Sequence, residues 1–223
     1  MDYVRRDAGG TEFTAMLDAL STNLTHFFRE SSHFEYLARE FLPSIVAAAP
    51  RRGRRLRVWS AGCSSGEEPY SVAITLREHL PRPEGLDVRV LASDISTRML
   101  ATAREGVYPA ERLQDVPGSV RSRYFECLAA RPVRRYRVAE PLRRMITFAR
   151  INLMEPWPMS GPFDVIFCRN VMIYFDKPTQ ERLIHRYWDV LTGGGVLFLG
   201  HSESLAGVAH RFRYVRPTVY RKA

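Results

Sequence analysis

Apolar positions along this chain recur in two periods, and the changes from one to the other divide it into elements. Over residues 12–30, Phe13, Met16, Leu17 and Leu20 fall at helical spacing. Ser21-Thr22-Asn23 then invites a break, because short polar side chains compete for main-chain hydrogen bonds. Phe34, Leu37, Ala38, Phe41 and Leu42 predict a second helix, starting at Ser31 or Ser32 and closing near Pro50, ahead of the basic linker 51–55. Short apolar runs then alternate with helical segments. Strands are expected at 56–59, 88–92, 146–148, 163–168 and 196–199, and helices at 69–80, 96–105 and 179–191. Residues 109–150 are less regular, with a helical piece near 120–124 and a strand-like 136–138. Residues 214–215 and 218–220, split by Arg216-Pro217, predict a terminal hairpin.

This alternation implies an α/β fold with a doubly wound, mostly parallel sheet. The run 163–168 is apolar apart from Asp164, as expected of a strand covered on both faces. Such sheets bind ligands beyond the carboxyl ends of their strands, near the switch in strand order. After the first strand comes Ser60-Ala61-Gly62-Cys63-Ser64-Ser65-Gly66-Glu67-Glu68, in which Ser65 and Glu68 have capping-box spacing. After the second comes Ser93-Asp94, an acid placed to accept from ribose hydroxyls. The turn reads GxxxG rather than GxGxxG, and Glu67 and Glu68 beside it would repel a pyrophosphate. A cationic nucleoside without phosphate, such as S-adenosylmethionine, suits it better than NAD or ATP. Each acid has a plainer role available: Glu67 and Glu68 would complement a helix dipole, and Asp94 would cap the next helix. Taken with Cys168-Arg169-Asn170 at the end of the fourth strand, the set favours a ligand crevice.

Composition narrows the classes. A chain of 223 residues with 45% hydrophobic and 26% charged content is ordinary for a globular protein with a sizeable core. No apolar run approaches the roughly 18 residues of a membrane helix, and the first residues lack the apolar stretch of a secretory signal, so the cytoplasm is the expected compartment. The formal charge is +9, and since only Lys177 and Lys222 are lysines, arginine carries it. That charge leaves three partner classes open: nucleic acid, an anionic membrane surface or an acidic protein. Cys63, Cys127 and Cys168 form no CxxC pair and the six histidines no HExxH, so no metal site is expected. No repeat or extended apolar seam suggests an obligate oligomer, and a monomer is the expectation.

Three segments are more specific. Asn23-Leu24-Thr25-His26-Phe27-Phe28-Arg29-Glu30, Ala61-Gly62-Cys63-Ser64-Ser65-Gly66-Glu67-Glu68-Pro69-Tyr70-Ser71 and Phe167-Cys168-Arg169-Asn170-Val171-Met172-Ile173-Tyr174-Phe175 closely resemble the chemotaxis receptor methyltransferase family (CheR), as does Gly200-His201-Ser202-Glu203-Ser204. The resemblance runs in order from about Phe13 to Tyr220. It implies a class I methyltransferase-like sheet and an S-adenosylmethionine-dependent protein-glutamate O-methyltransferase. It also implies a small β-subdomain inserted at about 123–148, and that residues 1–30 are the end of a helical N-terminal domain preceding the catalytic unit 31–223. By the same resemblance Asn23, Thr25, Arg29, Glu67, Asp94, Asn152, Leu153, Arg169 and Asn170 bind the cofactor. Arg29 and Tyr174 match the positions near the transferred methyl.

The implied substrate is a set of glutamate carboxylates on the cytoplasmic helical domain of a chemoreceptor. In some members the inserted subdomain grips a receptor tail pentapeptide by strand addition. Here Arg131-Pro132-Val133-Arg134-Arg135 replaces a glycine-bearing turn, and pentapeptide binding is left open. A nucleic-acid methyltransferase is the rival the charge invites. Yet the place of an Asn/Asp-Pro-Pro-aromatic sequence reads Arg169-Asn170-Val171-Met172, and no Pro-Cys dipeptide occurs, so nucleic acid is not the expected partner. A non-catalytic, cofactor-sensing adaptor on the same fold is the other alternative.

Overall fold

Parallel strands rich in β-branched and aromatic residues form the centre of the structure, a computed structural model that describes residues 24–52, 55–80, 86–129 and 134–223. The large sheet contains β1 (Arg55–Ala61), β2 (Asp87–Asp94), β6 (Ile146–Arg150), β7 (Phe163–Cys168), β8 (Leu191–Leu199), β9 (Arg213–Arg216) and β10 (Val219–Arg221). Their order is β6-β2-β1-β7-β8-β10-β9. The first five run parallel, while β10 is antiparallel to β8 and β9 antiparallel to β10. This is the doubly wound sheet with a terminal hairpin that the alternation predicts.

Strand alternation builds both layers. Val165 and Phe167 of β7 join the core under α1 (Ser31–Tyr36), α2 (Leu42–Arg52) and α3 (Glu67–His79). Ile166 and Cys168 point to the other side and pack with Leu183, Ile184 and Tyr187 of α7 (Lys177–Val190). Every residue of β7 is buried, Asp164 included, matching its mostly apolar run. The helices α1 and α2 join through a π-helical turn over Leu37–Phe41, so the second predicted helix is one continuous rod with a local bulge.

A second, three-stranded antiparallel sheet has the order β3-β5-β4, from β3 (Val107–Pro109), β4 (Phe125–Ala129) and β5 (Arg135–Val138). It draws in Val107–Pro109, well upstream of residue 123, whereas Ile146–Arg150 belongs to the large sheet. The strand β3 is three residues long and follows Gly106, too little for a period to register. Pro132 and most of the Arg131–Arg135 run lie outside the described residues.

The helical spacing over Phe13–Leu20 lies outside the described residues, and beyond the break expected at 21–23 the chain from Leu24 to Glu30 is not helical. Phe28 (φ 55°) and Glu30 (φ 59°) are left-handed, which stops any helix there. What fixes the segment is Phe27, fully buried with edge-to-face contacts to Tyr108 (5.1 Å) and Phe125 (5.3 Å). The capping box is also absent. Gly66 (φ 97°) is the N-cap of α3, and Ser65 Oγ donates instead to the Glu67 carboxylate at 2.6 Å.

Buried His33 ties α1 to the terminal hairpin, its Nε2 hydrogen-bonded to Thr218 Oγ1 at 2.7 Å. Burial, with Arg169 and His201 nearby and against the pull of Glu30, pushes its imidazole down to about 3. The unfolded chain takes a proton near pH 6.5 and the folded chain does not. Stability from this group is therefore complete above pH 6.5 and declines as the pH falls, by up to about 1.4 kcal/mol per unit. Urea denaturation of the wild type and His33→Gln between pH 7.5 and 5 checks this. The variant should show the shallower loss, and parallel curves would contradict the assignment. Phe27→Ala should cost about 3–5 kcal/mol by the same method, and a cost under about 1 kcal/mol would mean that the 24–30 segment is not anchored by this ring.

Candidate active site

A cavity of about 650 Å³ opens at the carboxyl ends of β1, β2, β6 and β7, where the strand order switches between β1 and β7. Its floor requires glycine at position 62, whose φ is 97°. A Cβ there would meet Val171 Cγ2 at 2.4 Å, so the turn after β1 lies directly against the turn after β7. The Gly62 and Cys63 amides both donate to the Ser93 carbonyl (2.8 and 2.9 Å), tying in the end of β2.

Asp94 lines this cavity. Its Oδ2 accepts from Ser64 N (2.7 Å) and its Oδ1 from Ser96 N (2.9 Å). The helix that follows, α4 (Thr97–Glu105), is capped by Ser96, whose side chain accepts from Met99 N. The capping role open to Asp94 is thus filled by Ser96.

The two acids after the glycine turn separate. Glu67 does not line the cavity. It is fully buried, bonded to Ser65 Oγ and Arg112 Nη1 (3.2 Å), and burial pushes its carboxyl up, against the pull of Ser65 and Arg112. Arg112 Nη1 also donates to the Thr25 carbonyl (2.9 Å), so Glu67 supports the 24–30 segment from below. The neighbour, Glu68, faces the cavity instead. Its carboxylate accepts from Ser60 Oγ (2.7 Å) and Arg169 Nη1 (3.1 Å). Burial raises Glu68 and Arg169 draws it back. Successive residues at a helix start point about 100° apart, so the chain pattern alone cannot choose between them.

Arg169 is buried and spends its guanidinium internally. Its Nε and Nη2 reach Glu30 Oε2 (3.2 and 3.0 Å), Nη1 reaches Glu68, and Nη2 also donates to the Arg29 carbonyl. Burial works to raise the Glu30 carboxyl, but Arg169 and the His201 amide hold it below the usual range. Glu30, His33 and His201 bring possible ligand atoms within 4.8 Å of one another, yet the guanidinium already sits against that carboxylate.

The remaining expected residues converge. Thr25, Arg29, Asn152, Leu153, Asn170 and Tyr174 all line the cavity, and Asn23 lies outside the described residues. Arg29 Nη1 donates to the Leu24 carbonyl (2.7 Å). The Asn152 side chain shapes its own turn, accepting from Met154 N and donating to Glu155. Tyr174 is 59% exposed at the cavity mouth, alongside Ile173 at 49%. Sequence reasoning missed Glu30 and Arg112 and gave the cofactor contact to Glu67 in place of its neighbour Glu68, although Glu30 closes the first motif and both acids stand inside the second. Among the described lining residues there is no His, Lys or Cys. The lining has two carboxylates, the Arg29 and Arg169 guanidinium groups, hydroxyl and amide groups, and apolar walls from Ile95, Ile151 and Leu153. It lacks a phosphate cradle and fits an ammonium- and ribose-bearing nucleoside such as S-adenosylmethionine.

The family described as "CheR methyltransferase, SAM binding domain" matches residues 23–221. A "Chemotaxis protein methyltransferase 2" of Pseudomonas aeruginosa is 47% identical over 99% of this chain and 76% of its own length. A "Probable chemotaxis protein methyltransferase" of Rhizobium etli is 42% identical over 99% of this chain and 82% of its own. A "Chemotaxis protein methyltransferase" of Borreliella burgdorferi is 38% identical over 100% and 78%. Motifs, sheet order and cavity agree with these likenesses, and the chain belongs to the CheR methyltransferase family.

Proposed function

We propose that this protein transfers a methyl group from S-adenosylmethionine to glutamate side-chain carboxylates on the helical domain of a chemoreceptor, forming methyl esters. The observation that carries this reading is the convergence of Arg29 and Tyr174 on a cavity whose described lining contains no His, Lys or Cys to act as a base. A glutamate carboxylate, with reference pKa near 4.3, is already ionised at neutral pH and needs no base. The cofactor supplies an electrophilic methyl on a sulfonium, and the chain's task is alignment.

Asp94, Glu68 and Asn152 are suited to hold the ribose and the cationic amino-acid end of the cofactor. Thr25, Leu153, Arg169 and Asn170 complete the enclosure, and Asn23 belongs to the same set by its motif. Glu68 replaces Glu67 as the acid that meets the cofactor, because only Glu68 faces the cavity. Arg29 draws the substrate carboxylate toward the methyl. Too tight a grip by the guanidinium would quench the nucleophile, so its gain comes through orientation. The Tyr174 hydroxyl at the mouth donates a hydrogen bond that fixes the angle of approach. An acidic helical substrate also suits a chain of charge +9, which speeds encounter more than it tightens binding. The same reading makes the protein cytoplasmic and monomeric. No described helix is long and apolar enough to cross a membrane.

Steady-state methylation of a receptor signalling fragment tests these roles. Arg29→Ala should lower kcat/KM by about 100-fold and Tyr174→Phe by about 10-fold. Unchanged rates with unchanged cofactor affinity would remove both residues from the chemistry. Calorimetric titration with S-adenosylhomocysteine should show Glu68→Gln weakening binding by about 10-fold or more, with Glu67→Gln within about 3-fold. The reverse order would return the contact to Glu67.

A further inference from the structure

The turn after β7 carries Asn170 and Tyr174, and its geometry has an unusual source. Asn170 is left-handed (φ 58°), Val171 is right-handed (φ −118°, ψ −43°), and a single 3₁₀ turn over Met172–Tyr174 follows. Successive amides in such a run point to one side and form a nest for an anion. Here the chain supplies the anion itself. Glu203 Oε1 accepts from the amides of Val171 (2.9 Å), Met172 (2.7 Å) and Ile173 (3.3 Å). Its Oε2 accepts from Asn170 N (2.8 Å) and Gly200 N (2.6 Å).

We infer that Glu203 is a positioning residue for methyl transfer, acting through Tyr174: its buried carboxylate gathers five main-chain amides and thereby sets where the Tyr174 hydroxyl stands at the cavity mouth. This rests on the reading of Tyr174 given above.

The fold delivers this carboxylate by strand neighbourhood. Cys168 and Leu199 are partners at the ends of β7 and β8, so the two following turns lie side by side. Glu203 N donates back to Gly200 O (2.8 Å), closing a tight turn that aims the side chain into the nest. Position 200 has to be glycine, because a Cβ would meet Asn170 Nδ2 at 2.6 Å and Asn170 N at 2.8 Å. Glu203 itself is only 6% exposed. Charge-assisted bonds of this kind are shorter and stronger than neutral ones, and each amide left unpaired in a buried place would be costly.

The ring of Tyr174 is largely exposed, so packing does little to place it. Its position is inherited from the backbone. Gln180 Nε2 holds the other side of the turn through the carbonyls of Met172 and Phe175 (both 2.9 Å), and Met172 is buried beneath. The turn is thus clamped on its amide side by Glu203 and on its carbonyl side by the helix α7. The Val171 side chain provides no cap for the 3₁₀ turn, and Glu203 does that work from a distance of 32 residues in sequence.

The experiment is a double-mutant cycle read at saturating cofactor and receptor fragment, with hydrogen exchange on the same proteins. Glu203→Gln keeps the shape but turns an amide group toward main-chain N–H donors. In the wild-type background it should lower kcat by about 10-fold, and in Tyr174→Phe by less than about 2-fold, because its effect passes through that hydroxyl. Glu203→Asp, which keeps the charge, should fall between Gln and wild type. The amides of 170–173 should exchange at least about 10-fold faster in Glu203→Gln while those of β1 and β7 do not change. Equal losses in both backgrounds would overturn the inference, as would unaltered exchange at 170–173 or faster exchange everywhere. Full activity of Tyr174→Phe alone would instead remove the reading on which the inference rests, and the exchange data would still decide whether Glu203 holds the turn.

Discussion

The buried guanidinium of Arg169 is the contact on which the cavity's geometry depends, because three separate parts of the chain meet on it. It joins the strand end of β7 to Glu68 at the start of α3, and to both the Glu30 side chain and the Arg29 carbonyl of the N-terminal segment. Removing such charges from water costs several kcal/mol per ion unless every group is well paired. Here each carboxylate has a further donor, Ser60 for Glu68 and the His201 amide for Glu30. Only a planar fork reaches three acceptors in these directions at once, which a lysine ammonium would not reproduce.

The functional consequence is a site made rigid from below and left open above. Arg169 fixes the backbone of Arg29, Phe27 plugs the same segment into the core, and Arg112 holds the Thr25 carbonyl against Glu67. On the opposite wall Glu203 fixes the turn of Asn170 and Tyr174. Two clamps, one cationic and one anionic, therefore hold the Arg29 segment and the Asn170–Tyr174 turn on facing sides of the cavity. Alignment is the largest contribution such a site can make to a displacement that needs no base.

Much of this was legible in the chain and some was not, for definite reasons. The strand β7 announces itself because five of its six residues are apolar, and the mostly parallel, doubly wound sheet follows from strand–helix alternation. The conformation of segment 24–30 is not legible in its pattern, because Phe28 and Glu30 adopt left-handed backbone that no periodicity reveals. The strand β3 is too short to register. Most site residues were recognisable from their motifs, and the cavity collects Thr25, Arg29, Asp94, Asn152, Leu153, Arg169, Asn170 and Tyr174. The choice between Glu67 and Glu68 depends on which side of a helix start faces the ligand, a rotation of one residue. Glu203 stood in a recognised motif without a role, since its partners are main-chain amides, which leave no mark in a sequence.

On the function proposed above, the cavity directs a methyl group onto an ionised glutamate. Incubation of the protein with S-adenosylmethionine carrying a radiolabelled methyl group and the helical signalling domain of a receptor addresses this directly. The expected result is label on the receptor fragment that mild alkali releases as volatile methanol, and that is lost when the target glutamates are replaced by alanine. Label that resists alkali, label transferred to nucleic acid in place of the receptor, or cofactor binding without any transfer would contradict it.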